Sequence, residues 1–149
     1  MTTPNTRAIL TDLAQRMGGL YAPDLKSPYL AGSAGLTAAV LMMAAEESDR
    51  TAHRLAEENR AIRAILNQAA TLPPPADLAE RLGNLAGGED SDLRISALQG
   101  VNDALRTALT DLHAAVEAQP GEAAAALNAA IWSELAASTR RRAFASQSF

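Results

Sequence analysis

Apolar residues recur every three or four positions along most of this chain, which is the spacing of a helix face. The pattern predicts a short first helix over about residues 5–17, ended by Gly18 and Gly19, because glycines commonly terminate helices. Ser27 and Pro28 then indicate a new helix start, since serine caps a first turn and proline fits the first helical position.

The second predicted helix is unusually long, about residues 28–70. At 1.5 Å per residue it would span about 64 Å, whereas a compact domain of this size has a radius of gyration of about 15 Å. Either it breaks around residues 46–51 or it overhangs and packs on a partner. No helix breaker occurs there, so the pattern favours the unbroken helix. Its heptad-spaced column is Ala34, Leu41, Ser48, Leu55, Ile62 and Ala69.

A helical wheel divides this long helix into a buried and a solvated face, with about 100° between successive residues. The face predicted to be buried comprises Leu41, Ala44, Leu55, Ile62 and Leu66. The opposite face, predicted to be solvated, comprises Glu46, Arg50, His53, Glu57 and Arg60.

Proline and glycine mark the remaining helices. Pro73–Pro75 end the long helix and begin a short one, about residues 76–85, which Gly87 and Gly88 end. The acidic stretch "EDSD" is predicted to cap the next helix, about residues 92–118. The tight Pro120–Gly121 connection predicts an antiparallel pair with a final helix, about residues 122–142. The tail "AFASQSF" is predicted to fray. The inward-facing residues of the last two helices are predicted to be Leu98, Val101, Leu105, Ala108, Leu112, Val116, Leu127, Ile131 and Leu135.

Composition supports an all-α helical bundle formed as a single domain over residues 1–149. The chain has 34 Ala and 20 Leu but only eight Val plus Ile, so helix formers dominate and strand formers are scarce. The absence of cysteine excludes disulfides and thiolate metal sites. The absence of cysteine, together with a start that does not resemble a signal peptide, fits a cytoplasmic protein. A net charge of −4 argues against a nucleic-acid partner.

Residues 29–45, "YLAGSAGLTAAVLMMAA", carry no charge. Seventeen residues is the lower limit for a membrane-spanning helix, and the Gly, Ser and Thr residues lower the average hydrophobicity of the segment. The segment is therefore predicted to be a helix buried in the bundle and not a membrane span. Apolar side chains point all round this segment, so it must be covered on every side. The cover is the protein's own helices, a second subunit, or a ligand in a pocket lined by adaptable methionines. The interface candidates are Leu36, Val40, Met42 and Met43.

Two histidines raise the question of a metal site. His53 precedes Glu57 by four residues, and His113 precedes Glu117 by four. Ligands in helical bundles project inward from facing helices, whereas His53 lies on the face predicted to be solvated. His113 lies at the edge of its apolar stripe, where a partly buried, hydrogen-bonded histidine is expected. A metal site using both histidines would require an oligomer that brings their faces together.

Little other chemistry is visible in the sequence. Arg140–Arg142 could form an anion-binding or nucleic-acid-binding tail, but three arginines at a helix C-terminus also complement its macrodipole, and the acidic chain favours that interpretation. No phosphate-binding glycine loop, G-x-S-x-G or H-E-x-x-H motif occurs. No catalytic residue, cofactor or small-molecule ligand is therefore predicted.

Four segments carry a resemblance to a known family: "SPYLAGSAGLTAAVLMMAAEE", "RLAEENRAIRAIL", "NDALRTALTDLHAAV" and "LNAAIWSELAASTRRRAF". Their order resembles a small all-helical family of unknown function, encoded beside or fused to aminoglycoside-phosphotransferase-like proteins and acyl-CoA dehydrogenases. The chain departs from the family pattern in having no proline after Pro120. The resemblance implies an accessory partner and carries over no site residues.

Two functional hypotheses follow from the sequence. The first is a non-enzymatic helical bundle that associates with itself, as a dimer, or with another protein. The second is a helical metalloprotein that uses His53, His113 and the nearby carboxylates.

Overall fold

A computed structural model describes residues 5–69 and 76–145 of the chain, and within these ranges the protein is all-α with no strand. This confirms the predicted fold class. The helical elements are α1 (Thr6–Gln15), a π-helical turn (Arg16–Tyr21), α2 (Ala22–Asp24), α3 (Pro28–Gln68), α4 (Ala76–Ala86), α5 (Ile95–Glu117) and α6 (Glu122–Arg142).

The described residues divide into two compact units. Residues 5–51 and 143–145 belong to the first, here called the hairpin unit, and residues 52–69 and 76–142 to the second, here called the bundle unit. The boundary between them falls within α3, after Thr51. The prediction of a single domain stays a prediction.

The hairpin unit pairs α1 with the first part of α3. Arg7 forms an ion pair with Asp49, and Gly18 lies against Ala38. As the residue number rises along α1 it falls along α3, so the two helices run antiparallel. Asn5 caps α1 through its side chain, which accepts a hydrogen bond from the backbone N–H of Ala8 at 2.8 Å.

Gly18 and Gly19 do not end the first helix, contrary to the prediction. The backbone continues through both as the π-helical turn and then through α2 to Asp24. A Cβ added at Gly18 would lie 3.1 Å from the Cβ of Ala38, so a side chain there would press against α3 where the two helices approach closely. Here glycine serves packing between helices, and local sequence reasoning took it for a stop signal.

Helix α3 is unbroken over 41 residues, as predicted. It begins at Pro28, after Ser27, whose carbonyl accepts from the N–H of Ala31 at 2.9 Å. The predicted role of Pro73–Pro75 in ending the helix concerns residues outside those described.

The bundle unit packs the remainder of α3 with α4, α5 and α6 around an aliphatic core. Arg106 on α5 lies beside Ser138 on α6, and His113 lies beside Asn128, which shows that α5 and α6 are antiparallel, as predicted. Most of the predicted inward residues are buried, while Val101 and Leu135 are partly buried at its edge. The large core residues are Ile62, Ile65, Leu66, Leu82, Leu105, Leu109, Leu112, Val116, Leu127 and Ile131.

Helix α5 begins at Ile95, three residues later than predicted, and the acidic stretch does not cap it. Its N-cap residue, Arg94, makes no side-chain capping bond. Asp90 instead accepts from Arg63 and Asn59 of α3, while Asp92 accepts from Arg94. The pattern predicted that these acidic side chains cap α5. In the structure Asp90 contacts α3, and Asp92 forms an ion pair with Arg94.

The start of the tail is also more ordered than predicted. Arg50 donates to the carbonyl of Ala143 at 3.0 Å and stacks over the Phe144 ring, 5.6 Å from its centroid. The N–H of Ala145 donates to Glu46 at 2.9 Å. Residues 143–145 are thus held on α3, which leaves Glu46 and Arg50 half-buried on the face predicted to be solvated.

Candidate functional site

The hairpin unit is built with small residues inside and large apolar residues outside. The buried apolar residues between its helices are alanines, Ala14, Ala34 and Ala45. The two helices can therefore approach closely but bury little apolar area against each other. The large apolar side chains left exposed on this unit are Ile9, Leu13, Leu20, Tyr21, Leu25, Tyr29, Leu30, Leu36, Val40 and Met42.

Five residues of α3 form a continuous stripe on the side away from α1. Leu36 lies two residues after the buried Ala34, about 200° further around the helix, and Val40 has the same relation to Ala38. This surface, here called the α3 stripe, consists of Tyr29, Ser33, Leu36, Val40 and Met43. Its residues alternate at spacings of four and three, the pattern of a coiled-coil seam.

The structure shows where the predicted interface candidates lie. Leu36 and Val40 are exposed, Met42 is at the margin of exposure and Met43 is half-buried. Within the part of the chain that is described, the protein's own helices leave Leu36 and Val40 uncovered, so core burial does not describe these two residues. Met42 lines an open cleft of about 450 Å³ with Arg7, Thr11, Ala45, Glu46 and Ala145.

The face predicted to be buried also changes along α3. Leu55, Ile62 and Leu66 in the bundle unit are buried, as predicted, but Leu41 is only half-buried and Ala44 is exposed. The helical-wheel prediction assumed that the same face of α3 is buried along its whole length. The neighbours that cover it differ between the two units, so the prediction is wrong for Ala44.

By length and composition alone, α3 contains a stretch that could cross a membrane, and only 11% of that stretch is buried. The neighbouring α1 carries charges beside this stretch. Asp12 and Arg16 form an ion pair whose side chains are more than half exposed. In the antiparallel pairing they lie near the level of residues 40–44, beside the apolar stretch. A lipid environment around the hairpin unit would therefore surround these charges, which is costly.

The bundle unit contains a buried carboxylate that the wheel analysis missed. Glu58 is fully buried on α3. It accepts hydrogen bonds from Arg106, from Ser138 at 3.1 Å, and from Arg142 at 3.0 Å to each oxygen. These bonds connect three helices, α3, α5 and α6, through one side chain.

Burial alone would raise the pKa of Glu58, but Arg106, Arg142 and Ser138 together outweigh it and hold that pKa below its ordinary value. Burial raises the pKa of the nearby Glu134, against the opposing effect of its ion pair with Arg141. The two carboxyl groups are therefore shifted in opposite directions within one unit.

A second buried polar group adjoins Glu58. Asn59 is fully buried, accepts from Asn102 at 3.0 Å and donates to Asp90 and to the carbonyl of Leu98. The Oδ1 atom of Asn102 is buried without a hydrogen-bond partner. Paired polar groups in a core restrict which helix surfaces can meet, so this network specifies the packing of α3 against α5.

A signal for these buried residues was present in the sequence. Glu58 lies three residues after Leu55 and four before Ile62, and Asn59 lies four after Leu55 and three before Ile62. Both spacings place a residue beside the apolar face. A carboxylate in such a position requires positively charged partners, which here come from α5 and α6.

The proposed metal candidates lie apart from any ligand cluster in the described ranges. His53 is exposed, and Glu57 beside it is half-buried. His113 is partly buried, as expected, with Nε2 2.9 Å from Oδ1 of Asn128 and 3.5 Å from Glu117. Its ring packs edge-on against Trp132, with centroids 5.2 Å apart. No group of three His, Asp or Glu side chains suited to a metal ion forms among residues 5–69 and 76–145.

The arginine triplet does not form a free basic tail. Arg142 binds Glu58 and Arg141 binds Glu134, while Arg140 is exposed. Two of the three guanidinium groups are thus engaged by carboxylates of the bundle unit.

Comparison with protein-family models, with curated proteins and with solved structures finds no match to this chain. The family resemblance therefore rests on the four quoted segments alone and stays a prediction. Function has to be argued from the exposed apolar surface and the buried polar network.

Proposed function

We propose that this protein is a non-enzymatic helical module that acts by binding another polypeptide chain through the α3 stripe. The observation that carries the proposal is the exposure of the long apolar stretch of α3, of which only 11% is buried. Contiguous apolar surface on a helix is typical of an interaction site. The bundle unit has an aliphatic core of its own.

The spacing of the stripe points to a helical partner. A surface with apolar residues alternating at four and three positions fits the grooves of another helix with the same pattern. Full burial of each of Leu36, Val40 and Tyr29 would contribute about 1.5–3 kcal/mol to the free energy of binding, before the cost of association is subtracted. Three such side chains on one stripe are enough to anchor a helix–helix contact.

The buried polar network supports a structural role in the same module. Glu58 and its partners lie inside the bundle unit and bind one another, leaving Glu58 inaccessible to a substrate. Their bonds hold the part of α3 that belongs to the bundle unit against α5 and α6.

A pair of matched charge variants tests this function. Leu36 on the α3 stripe and Leu93 in the bundle unit are both 68% exposed, so Leu36→Asp and Leu93→Asp introduce the same charge at equally exposed positions. Light scattering measures self-association, and affinity capture measures binding of another protein. Leu36→Asp should lose whichever of the two the wild type shows, while Leu93→Asp should keep it. Circular dichroism should show equal helicity for both variants.

Two results would contradict the proposal. One is a wild-type chain that remains monomeric at high concentration and captures nothing that Leu36→Asp does not. The other is an assembly that is lost equally in both variants, since general charge repulsion would then explain the effect.

A further inference from the structure

We infer that the occupant of the α3 stripe is the α3 stripe of a second copy of this chain, with the two helices antiparallel. The inference rests on the proposed function and adds to it the identity of the partner and the register. It follows from the residues beside the stripe, from the sizes of the residues along it and from the charges at its two ends.

The positions that flank the stripe carry no charge. In coiled coils, charged residues at these positions select a particular partner. Here they are Leu30, Gly32, Thr37, Ala39 and Ala44. The flanks therefore contain nothing that repels an identical helix, and Gly32, Ala39 and Ala44 allow two backbones to approach closely.

Side-chain sizes along the stripe favour one antiparallel register. When facing residue numbers sum to 76, Leu36 faces Val40 of the second copy, and the small Ser33 faces the long Met43. Tyr29 then lies level with Glu47, a carboxylate within its hydroxyl's reach. Each layer matches a larger residue with a smaller or polar one, which is how facing helix positions interdigitate.

The charges at the two ends favour the antiparallel arrangement over the parallel one. Lys26 and the positive end of the helix macrodipole lie at the N-terminal end of the stripe. At the other end Glu47 lies on the stripe itself and pairs with Arg50, as does Glu46, whereas Asp49 pairs with Arg7 on the side of α3 that faces α1. Antiparallel pairing places Glu47 near the positive N-terminal end of the second copy's helix, whereas parallel pairing would place Glu47 beside its own copy.

The absence of cysteine makes a disulfide test direct, because every thiol is an introduced one. Three single variants are required: Ser33→Cys, Met43→Cys and, as an exposed control in the bundle unit, Ser96→Cys. Each is oxidised alone, and Met43→Cys is also oxidised after subunit exchange with each of the others. In the antiparallel register, the two copies of residue 33 lie about 15 Å apart along the axis, too far for a disulfide.

The expected result is a wild-type dimer of twice 15.6 kDa by light scattering. A disulfide dimer should form from the mixture of Ser33→Cys with Met43→Cys, at least ten-fold more than from either variant alone or from the Ser96→Cys mixture. The Leu36→Asp variant should be monomeric and equally helical.

Other outcomes overturn the inference in distinguishable ways. If Ser33→Cys and Met43→Cys each cross-link to themselves and their mixture adds nothing, the pairing is parallel. If the wild type is a monomer that binds another protein in a Leu36-dependent way, the second copy is the wrong occupant while the proposed function stands. If it is a monomer that binds phosphatidylcholine vesicles in a Leu36-dependent way, the occupant is lipid and the proposed function fails too.

Discussion

The hairpin unit and the bundle unit use the same residue types in opposite ways. In the bundle unit Leu55, Ile62, Leu105, Leu112 and Ile131 are fully buried, and the alanines of its helices lie mostly at the edges or outside. In the hairpin unit the fully buried apolar residues are alanines, and most of the large apolar residues face outward.

This difference decides which unit can be stable by itself. Burial stabilises in proportion to apolar area, and an alanine contributes one methyl group where a leucine contributes four carbons. The bundle unit therefore has a sufficient core, whereas the hairpin unit gains little from its internal contact and has apolar area left to bury elsewhere. Four predictions test this comparison, from the largest expected effect to the smallest.

Truncation of a core leucine should separate the two units most clearly. Leu105→Ala should lower the free energy of unfolding by about 2–5 kcal/mol, because Leu105 is fully buried and the truncation leaves a cavity. Leu36→Ala, in the hairpin unit, should cost less than 1 kcal/mol when the chain is kept monomeric by low concentration. Urea denaturation followed by circular dichroism measures both. Equal losses would show that Leu36 belongs to a core.

Replacing Glu58 should destabilise the bundle unit and change its response to acid. Glu58→Gln should cost about 2–3 kcal/mol at pH 7, below the full cost of breaking a buried ion pair because the arginine partners reach solvent. The folded-state pKa of Glu58 is lowered, so its contribution is complete above the ordinary carboxyl pKa and is lost as the pH falls through the folded-state value.

The difference between wild type and Glu58→Gln should therefore shrink below about pH 4.5, the ordinary carboxyl value, in urea titrations from pH 7 to pH 3. Glu134→Gln is the control. The raised pKa of Glu134 means that its ionised form is disfavoured on folding, so neutralising it should cost less than neutralising Glu58. A difference for Glu58→Gln that is constant over this range would contradict the assigned pKa direction.

Enlarging Gly18 should loosen the hairpin unit while leaving the bundle unit intact. Gly18→Leu should cost about 1–3 kcal/mol, because even a Cβ at this position would lie 3.1 Å from the Cβ of Ala38. Gly19→Leu is the matched control, since Gly19 is exposed and nothing lies within 4 Å of a Cβ there. Hydrogen exchange should show faster exchange in residues 6–24 for Gly18→Leu only. Protection like that of wild type would contradict close packing of the helices.

The smallest effect is expected at His53, a metal-ligand candidate of the sequence. His53→Ala should change the free energy of unfolding by less than about 0.5 kcal/mol, because the side chain is exposed on α3. Thermal unfolding with and without a chelator provides the measurement. A melting temperature that falls with chelator in the wild type and not in His53→Ala would revive the metalloprotein hypothesis.

The sequence alone determined the helices where their boundaries are set by local chemistry. Ser27–Pro28 begins α3, Pro120–Gly121 separates α5 from α6, and the final helix spans the predicted residues. These signals act through the backbone of a few neighbouring residues, which any reader of the sequence can see. Both glycines were wrongly predicted to end the first helix, and the role of Gly18 is set by its contact with Ala38, twenty residues away on α3.

Tertiary structure alone decided which face of α3 is covered and where its polar residues bind. Helical periodicity gives the angle of each residue around the axis of α3, for example of Leu36, Ala44 and Glu58. It does not predict on which side of α3 another helix packs. Small side chains pair α1 with one side of α3 and leave Leu36 exposed on the other. Arg106 and Arg142 allow Glu58 to be buried as a carboxylate. Both outcomes depend on residues distant in sequence, whose positions follow from packing and not from the local pattern.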